Sequence, residues 1–142
     1  MFNAIEVLAN GLSAARMRVN VLASNIANAE TTHTEEGGPY KRRDIVQVAK
    51  DVPGNFSSAL DRMALKEPSV LAVVEDQNEP KKVYQPGHPD ADKDGYVAYP
   101  NINVVTTMTD MMSASRLYQA NVTALETARG MQSEAGRIIT QA

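Results

Sequence analysis

Apolar residues recur with helical spacing at both ends of the chain and lose that spacing in the middle. In the first segment one stripe advances by alternating steps of three and four, through Ile5, Leu8, Leu12, Ala15, Val19, Leu22, Ile26 and Ala29. This spacing keeps the whole stripe on one face of an α-helix and suits left-handed supercoiled packing. Val7, Met17 and Val21 are apolar outside the stripe, so the predicted helix needs neighbours on more than one side.

The last segment carries two apolar stripes. The first contains Val104, Met108, Met111, Ser115, Tyr118, Val122 and Leu125. The second contains Leu117, Ala124, Ala128, Met131, Ala135 and Ile138, with Asn121 inside it. We therefore predict a second helix over residues 104–141, roughly 57 Å long, that packs on two sides.

Between the two helices the pattern becomes that of short strands. Strands are predicted at residues 40–50, 70–75 and 81–84, and glycine and proline mark the turns between them. We expect an α+β protein whose long terminal helices, residues 1–32 plus 101–142, pair as an antiparallel, coiled-coil-like assembly domain. Residues 33–100 are expected to form a small β-hairpin-rich insert with long loops.

Charged residues concentrate in this central part. Residues 30–100 carry 22 charges, whereas residues 1–29 and 101–142 together carry nine. The net charge of −3 gives no basic surface for nucleic acid. The absence of cysteine excludes disulfides and thiolate metal sites. The sequence contains no run of 18 apolar residues, so no membrane span is predicted. No basic residue precedes an apolar run as it would in a cleaved signal peptide.

One acidic stretch has the alternate spacing that opens a calcium-binding loop. It contains Asp90, Asp92 and Asp94, followed by Gly95. An EF-hand loop needs a carboxylate at its twelfth position, and this position holds Asn101. A solvated acidic turn is therefore favoured, and a calcium-binding module is kept as an alternative.

The sequence offers no catalytic constellation. His33 and His88 are the only histidines, and both lie in predicted loops. No nucleophile with a nearby base and no glycine-rich phosphate loop can be assigned. We therefore predict no enzyme activity, no catalytic, cofactor-binding or metal site, and no cofactor.

Three asparagines stand at positions where an amide is informative. Asn25 and Asn28 lie at the end of the first predicted helix, and Asn121 lies within the last helix. An amide at a helix end can cap free carbonyl groups. The alternative is that it pairs with polar groups of an adjoining helix and fixes the helix register.

The motif LASNIANA at residues 22–29, followed by Thr31 and Thr32, resembles the N-terminal signature of the flagellar rod and hook axial proteins. Residues 37–43, 88–92 with 95–103, and 110–122 narrow the resemblance to the C-type proximal-rod family of the basal body. The similarity covers nearly the whole chain in order.

This resemblance implies a structural subunit of the proximal rod that polymerises helically into the torque-transmitting shaft around the export channel. It implies as partners other copies of the chain, other rod proteins, and proteins on the side of the inner-membrane ring and export apparatus. It places the chain in the periplasmic rod, after type III export without a cleaved signal peptide. A soluble helical adaptor or export chaperone that binds a partner's amphipathic helix is the alternative interpretation.

We predict that the assembly interface lies on the helix stripes. Leu8, Leu12, Val19, Leu22 and Ile26 are expected to pack on Met111, Tyr118, Val122 and Leu125. Asn25, Asn28 and Asn121 are expected to set the register. Because a lone chain cannot cover all of this apolar surface, folding is expected to be coupled to docking.

Overall fold

The computed structural model of the chain describes residues 2–51 and 66–141. Two long helices, α1 (Phe2–Ala27) and α2 (Val104–Gln141), flank a region of short strands along the sequence. The strands are β1 (Arg43–Asp51), β2 (Lys66–Glu75), β3 (Lys81–Tyr84) and β4 (Tyr96–Tyr99). The α+β class, with two long terminal helices and a small central β region, is confirmed.

The first turn of α2 is capped by Asn103. Its side-chain oxygen accepts a hydrogen bond from the Thr106 N–H at 3.1 Å, and its carbonyl accepts one from the Thr107 N–H at 2.9 Å. The Thr107 hydroxyl also donates to that carbonyl at 2.8 Å. These bonds satisfy backbone groups that a helix start leaves without partners, so α2 begins where the sequence analysis predicts it.

The strands form two separate two-stranded sheets, β1 with β2 and β3 with β4. The Asp76 N–H donates to the Arg42 carbonyl at 2.7 Å next to one end of the first pair, and Lys66 forms an ion pair with Asp51 at the other. This pairing makes β1 and β2 antiparallel. Pro68 is tolerated in β2 because each strand of a two-stranded sheet has a free edge.

The second sheet is an antiparallel hairpin in which Val83 pairs with Val97 and Tyr84 pairs with Tyr96. The sequence analysis predicted β3 with its observed bounds but assigned no strand to β4. It also began the first strand three residues early and the second strand four residues late. β4 has the same four-residue length as β3, so length does not explain the omission, and β4 is identified by its pairing with β3.

The chain divides into two compact units. One unit comprises Met1–Met17, Val46–Ala72 and Ser113–Ala142, and the other comprises Arg18–Ile45 and Val73–Met112. Each unit combines helical and strand residues. The division into a terminal helical domain and a separate insert therefore stays a prediction.

Each unit has a small core. In the first unit the buried apolar side chains of the described part are Ala14, Ala15, Ala114 and Leu125, and in the second the buried apolar side chain is Val97. Most of these side chains are small, so α1 and α2 cover little of their apolar surface within the chain. In the described part of the chain, neither helix is both long and apolar enough to cross a membrane.

Candidate assembly interface

The apolar side chains predicted to form the interface are only partly covered within the chain. Leu125 is buried, with 9% of its surface exposed. The other eight are of intermediate exposure: Leu8, Leu12, Val19, Leu22, Ile26, Met111, Tyr118 and Val122. Their role at an interface stays a prediction, but the structure leaves surface on them for further contacts.

The first turns of α2 present a more exposed set that we call the α2 apolar face. It consists of Val105, Met108 and Met112, whose exposed fractions are 74%, 48% and 57%. Steps of three and four place the three side chains on one side of the helix. The sequence analysis placed only Met108 in a stripe and missed the other two, although this spacing was the signal that identifies them.

Strand β2 is also apolar and uncovered. Leu71, Val73 and Val74 are exposed by 63%, 45% and 44%. Successive side chains of a strand point to opposite faces of the sheet, so Val73 and Val74 show that neither face is covered at this end. These side chains leave apolar surface open on both faces of this part of the sheet.

The end of α1 is, in contrast, rich in hydrogen bonds. The Asn28 side-chain amide donates to the Ser24 carbonyl at 2.9 Å, and the Thr31 hydroxyl donates to the Asn28 side-chain oxygen at 3.2 Å. The Asn28 N–H reaches the same Ser24 carbonyl at 3.1 Å. The Asn28 side chain therefore adds a second hydrogen bond to a carbonyl in the last turn of the helix, which is close to the capping role that one interpretation of the sequence proposed.

Asn25 lies in the last turn of α1 and is 1% exposed. Its side-chain amide donates to the Arg43 carbonyl at 2.7 Å, and its side-chain oxygen accepts from the Arg43 N–H at 2.9 Å. The Tyr40 hydroxyl donates to the same oxygen at 3.1 Å and lies 3.3 Å from the Ser24 hydroxyl. We call Ser24, Asn25, Tyr40 and Arg43 the α1 junction.

These partners of Asn25 lie in the chain's own strand region, a position that the sequence analysis did not foresee. Nothing in its helical spacing identifies a partner 18 residues away. Whether Asn25 and Asn28 also set the register of a neighbouring subunit stays a prediction. Asn121 lies against α1, because a Cβ atom built on Gly11 would be 3.4 Å from the Asn121 side-chain nitrogen.

The acidic stretch forms the turn of the β3–β4 hairpin. The Asp92 carboxylate accepts hydrogen bonds from the Asp94 N–H at 2.9 Å and the Tyr96 N–H at 2.8 Å. Gly95 adopts φ +81°, a value that favours glycine. Asp90 accepts from the Thr32 hydroxyl at 2.6 Å. The structure thus shows the acidic turn that the sequence analysis favoured.

No cluster of metal-ligating side chains occurs among residues 2–51 and 66–141. This part of the chain contains no group of three or more histidine, aspartate or glutamate side chains that could hold a metal ion. A cavity of about 300 Å³ lies between α1 and β2 in the first unit. It is lined by Asn10, Ser13, Ala14, Met17, Glu67, Pro68, Ser69 and Val70, and the Asn10 amide already donates to Glu67 at 2.7 Å.

The basic run at residues 41–43 is partly neutralised within the chain. Arg43 pairs with Glu75 and Arg42 pairs with Asp44, each at 3.2 Å. Nearby, hydrogen bonds from the Asn78 N–H and then from its side chain lower the pKa of Asp76. The hydrogen bonds from Asn78 favour the charged form of Asp76, and the ion pairs keep the surface of the strand region polar.

Comparison with known proteins gives consistent matches. Residues 5–32 match the family described as Flagella basal body rod protein, and residues 93–138 match the family described as Flagellar basal body rod FlgEFG protein C-terminal. The chain is 39% identical over 140 residues to flagellar basal-body rod protein FlgC of Borreliella burgdorferi, with 92% of each chain covered. Identity to FlgC of Salmonella typhimurium is 38% over 131 residues, and to FlgC of Bacillus subtilis 36% over 140 residues, with the same coverage.

Proposed function

The chain belongs to the FlgC family of flagellar basal-body rod proteins and is a structural rod subunit rather than an enzyme, and we propose that it polymerises helically as an axial subunit of the proximal rod. In this proposal its terminal helices form the subunit contacts, and the polymer transmits torque around the export channel.

The observation that carries this proposal is the apolar surface left uncovered on both helices and on β2. The α2 apolar face alone presents three large side chains that are 48–74% exposed. Soluble monomers rarely expose large contiguous apolar patches, and such patches commonly mark contact sites. Repeated contacts between unlike surfaces of identical subunits generate an open helix instead of a closed dimer, which is the geometry that a rod requires.

The chain acts at the basal body together with other rod components, as its family membership implies. We further propose that its neighbours include copies of itself, other rod proteins, and proteins on the side of the inner-membrane ring and export apparatus. Its position is proposed to be the periplasmic rod, reached through type III export without cleavage of a signal peptide. The family resemblance supports these finer assignments.

The test compares the purified chain with the assembled rod. Circular dichroism and size-exclusion chromatography are performed on the free chain, and basal bodies are isolated from a deletion strain that expresses it. We expect weak helical signal in the free chain, presence of the chain in basal bodies, and restored motility. A stable, fully helical small oligomer that is absent from basal bodies would instead favour the adaptor or export-chaperone function.

A further inference from the structure

The side chain of Asn25 occupies the place of a neighbouring strand on β1. It bonds both the carbonyl and the N–H of Arg43, at 2.7 and 2.9 Å. In an antiparallel ladder, two residues of a hydrogen-bonded pair exchange these same two bonds. The adjacent Arg42 carbonyl is bonded instead by the Asp76 N–H beyond β2. Since successive residues of a strand direct their polar groups to opposite edges, Asn25 covers the edge of β1 that β2 leaves open.

The amide of Asn25 is almost fully used by these contacts. Its oxygen accepts two hydrogen bonds, from the Arg43 N–H and the Tyr40 hydroxyl at 3.1 Å, and its nitrogen donates one. With only 1% of the residue exposed, water cannot replace a lost partner without opening the site. A buried amide that loses its partners costs more than the same amide in solvent, so the three bonds are expected to form and break as a group.

Two separate structures must be present before this group can form. Residue 25 must be helical, because the helix fixes the direction of its side chain, and residues 40–43 must lie extended beside it. The Tyr40 N–H also donates to the Thr31 carbonyl at 3.0 Å. This bond holds residue 40 close to the segment that follows α1. Order in one segment therefore lowers the cost of order in the other.

We propose that Asn25 is a positioning residue that couples the ordering of the last turns of α1 to the seating of β1. This proposal rests on the proposed function and deepens it: a neighbouring subunit that orders α1 would also fix the start of the strand region, without touching it. Such coupling is reciprocal, so contacts that hold β1 also favour the helix.

The test is hydrogen–deuterium exchange of the full chain, free in solution and in purified basal bodies. Two segments are followed, residues 20–28 and 40–46, with the β3–β4 hairpin as internal reference. In the wild type we expect both segments to be protected in the same states. Asn25→Asp keeps the shape and the acceptor but places an oxygen against the Arg43 carbonyl. We expect it to raise exchange in both segments by about tenfold or more, the size expected from a lost buried hydrogen bond.

Three further variants make the result specific. Tyr40→Phe removes one of the three bonds and should raise exchange in both segments by a smaller factor. Asn28→Ala removes the side-chain bonds to the Ser24 carbonyl and the Thr31 hydroxyl, but no direct bond to residues 40–46, and should raise exchange chiefly in residues 20–28. Asn20→Asp adds the same charge at an exposed position of α1 and should leave residues 40–46 unchanged. If Asn25→Asp unfolds the whole chain, including the hairpin, the decision rests on Tyr40→Phe.

The proposal is overturned if the wild type protects one segment without the other, or protects neither in any state. It is also overturned if the Asn25 and Tyr40 variants change residues 20–28 alone. These outcomes are distinct from failure of the proposed function, which would appear as absence of the wild-type chain from basal bodies. Exchange in the purified chain and incorporation into the rod are thus read independently.

Discussion

The α1 junction and the α2 apolar face differ in whether their side chains find partners within the chain. At the junction, the buried amide of Asn25 has three hydrogen bonds to its own chain. On the α2 apolar face, the exposed fraction is 74% for Val105 and 57% for Met112. The chain therefore satisfies its buried polar groups internally and leaves apolar surface for other molecules to cover.

This difference follows from what each kind of group loses when it is left alone. Leaving a buried amide without hydrogen-bond partners costs about 1–3 kcal/mol for as long as it stays unpaired. An exposed methionine or valine is tolerated in solvent, and covering it later contributes about 1.5–3 kcal/mol. A subunit that must remain soluble before it assembles can therefore leave apolar surface uncovered more easily than it can leave buried polar groups unpaired.

The largest expected effect comes from placing charge on the half-buried stripes. Leu12→Asp and Val122→Asp should each abolish incorporation into the rod, because an unpaired carboxylate in a closed contact costs about 3–5 kcal/mol. Motility on soft agar and immunoblots of isolated basal bodies measure the loss.

Matched controls carry the same charge on exposed positions of the same helices. Asn20→Asp and Gln119→Asp lie at exposed positions of α1 and α2, and both should assemble normally. Normal motility with Leu12→Asp or Val122→Asp would show that these stripes stay open to solvent in the assembly. It would contradict the claim that other subunits cover the apolar surface of the chain.

A smaller effect is expected from Met112→Lys on the α2 apolar face. The helical signal of the free chain should be unchanged, because substitutions at exposed positions usually alter folding little. Incorporation into basal bodies should fall by about tenfold as the lysine blocks apolar contact. Gln119→Lys, exposed on the same helix, is the control. Equal incorporation of both variants would mean that this face stays in solvent.

The smallest of the three effects tests the β3–β4 hairpin, where the conformation is set inside the chain. Gly95→Ala forces a side chain into φ +81° and places its Cβ atom 2.9 Å from the Tyr84 ring. We expect a loss of about 1–2 kcal/mol. A Cβ atom built on Gly87 has no other heavy atom within 4 Å, so Gly87→Ala should change the stability very little. Urea unfolding followed by near-ultraviolet circular dichroism compares the two, and equal stability would contradict the strain assigned to Gly95.

The sequence predicted the two helices well and the strands only in part. Apolar spacing is a local feature, and both helices appear where they were expected. The strand β4 was missed although β3 is equally short, and β4 is identified by its pairing with β3, which lies 12 or more residues earlier. For the candidate interface, the sequence identified the stripes, but it did not reveal which of their residues stay open to solvent.

The spacing of apolar residues by itself determined that this chain has long terminal helices with more apolar surface than one chain can cover, because helix formation and amphipathic character depend on residues three and four positions apart. Only the tertiary structure decided that Asn25 serves the edge of β1 through Arg43, and that Val105 and Met112 remain uncovered. Those outcomes depend on which distant segments meet, and local spacing carries no record of such contacts.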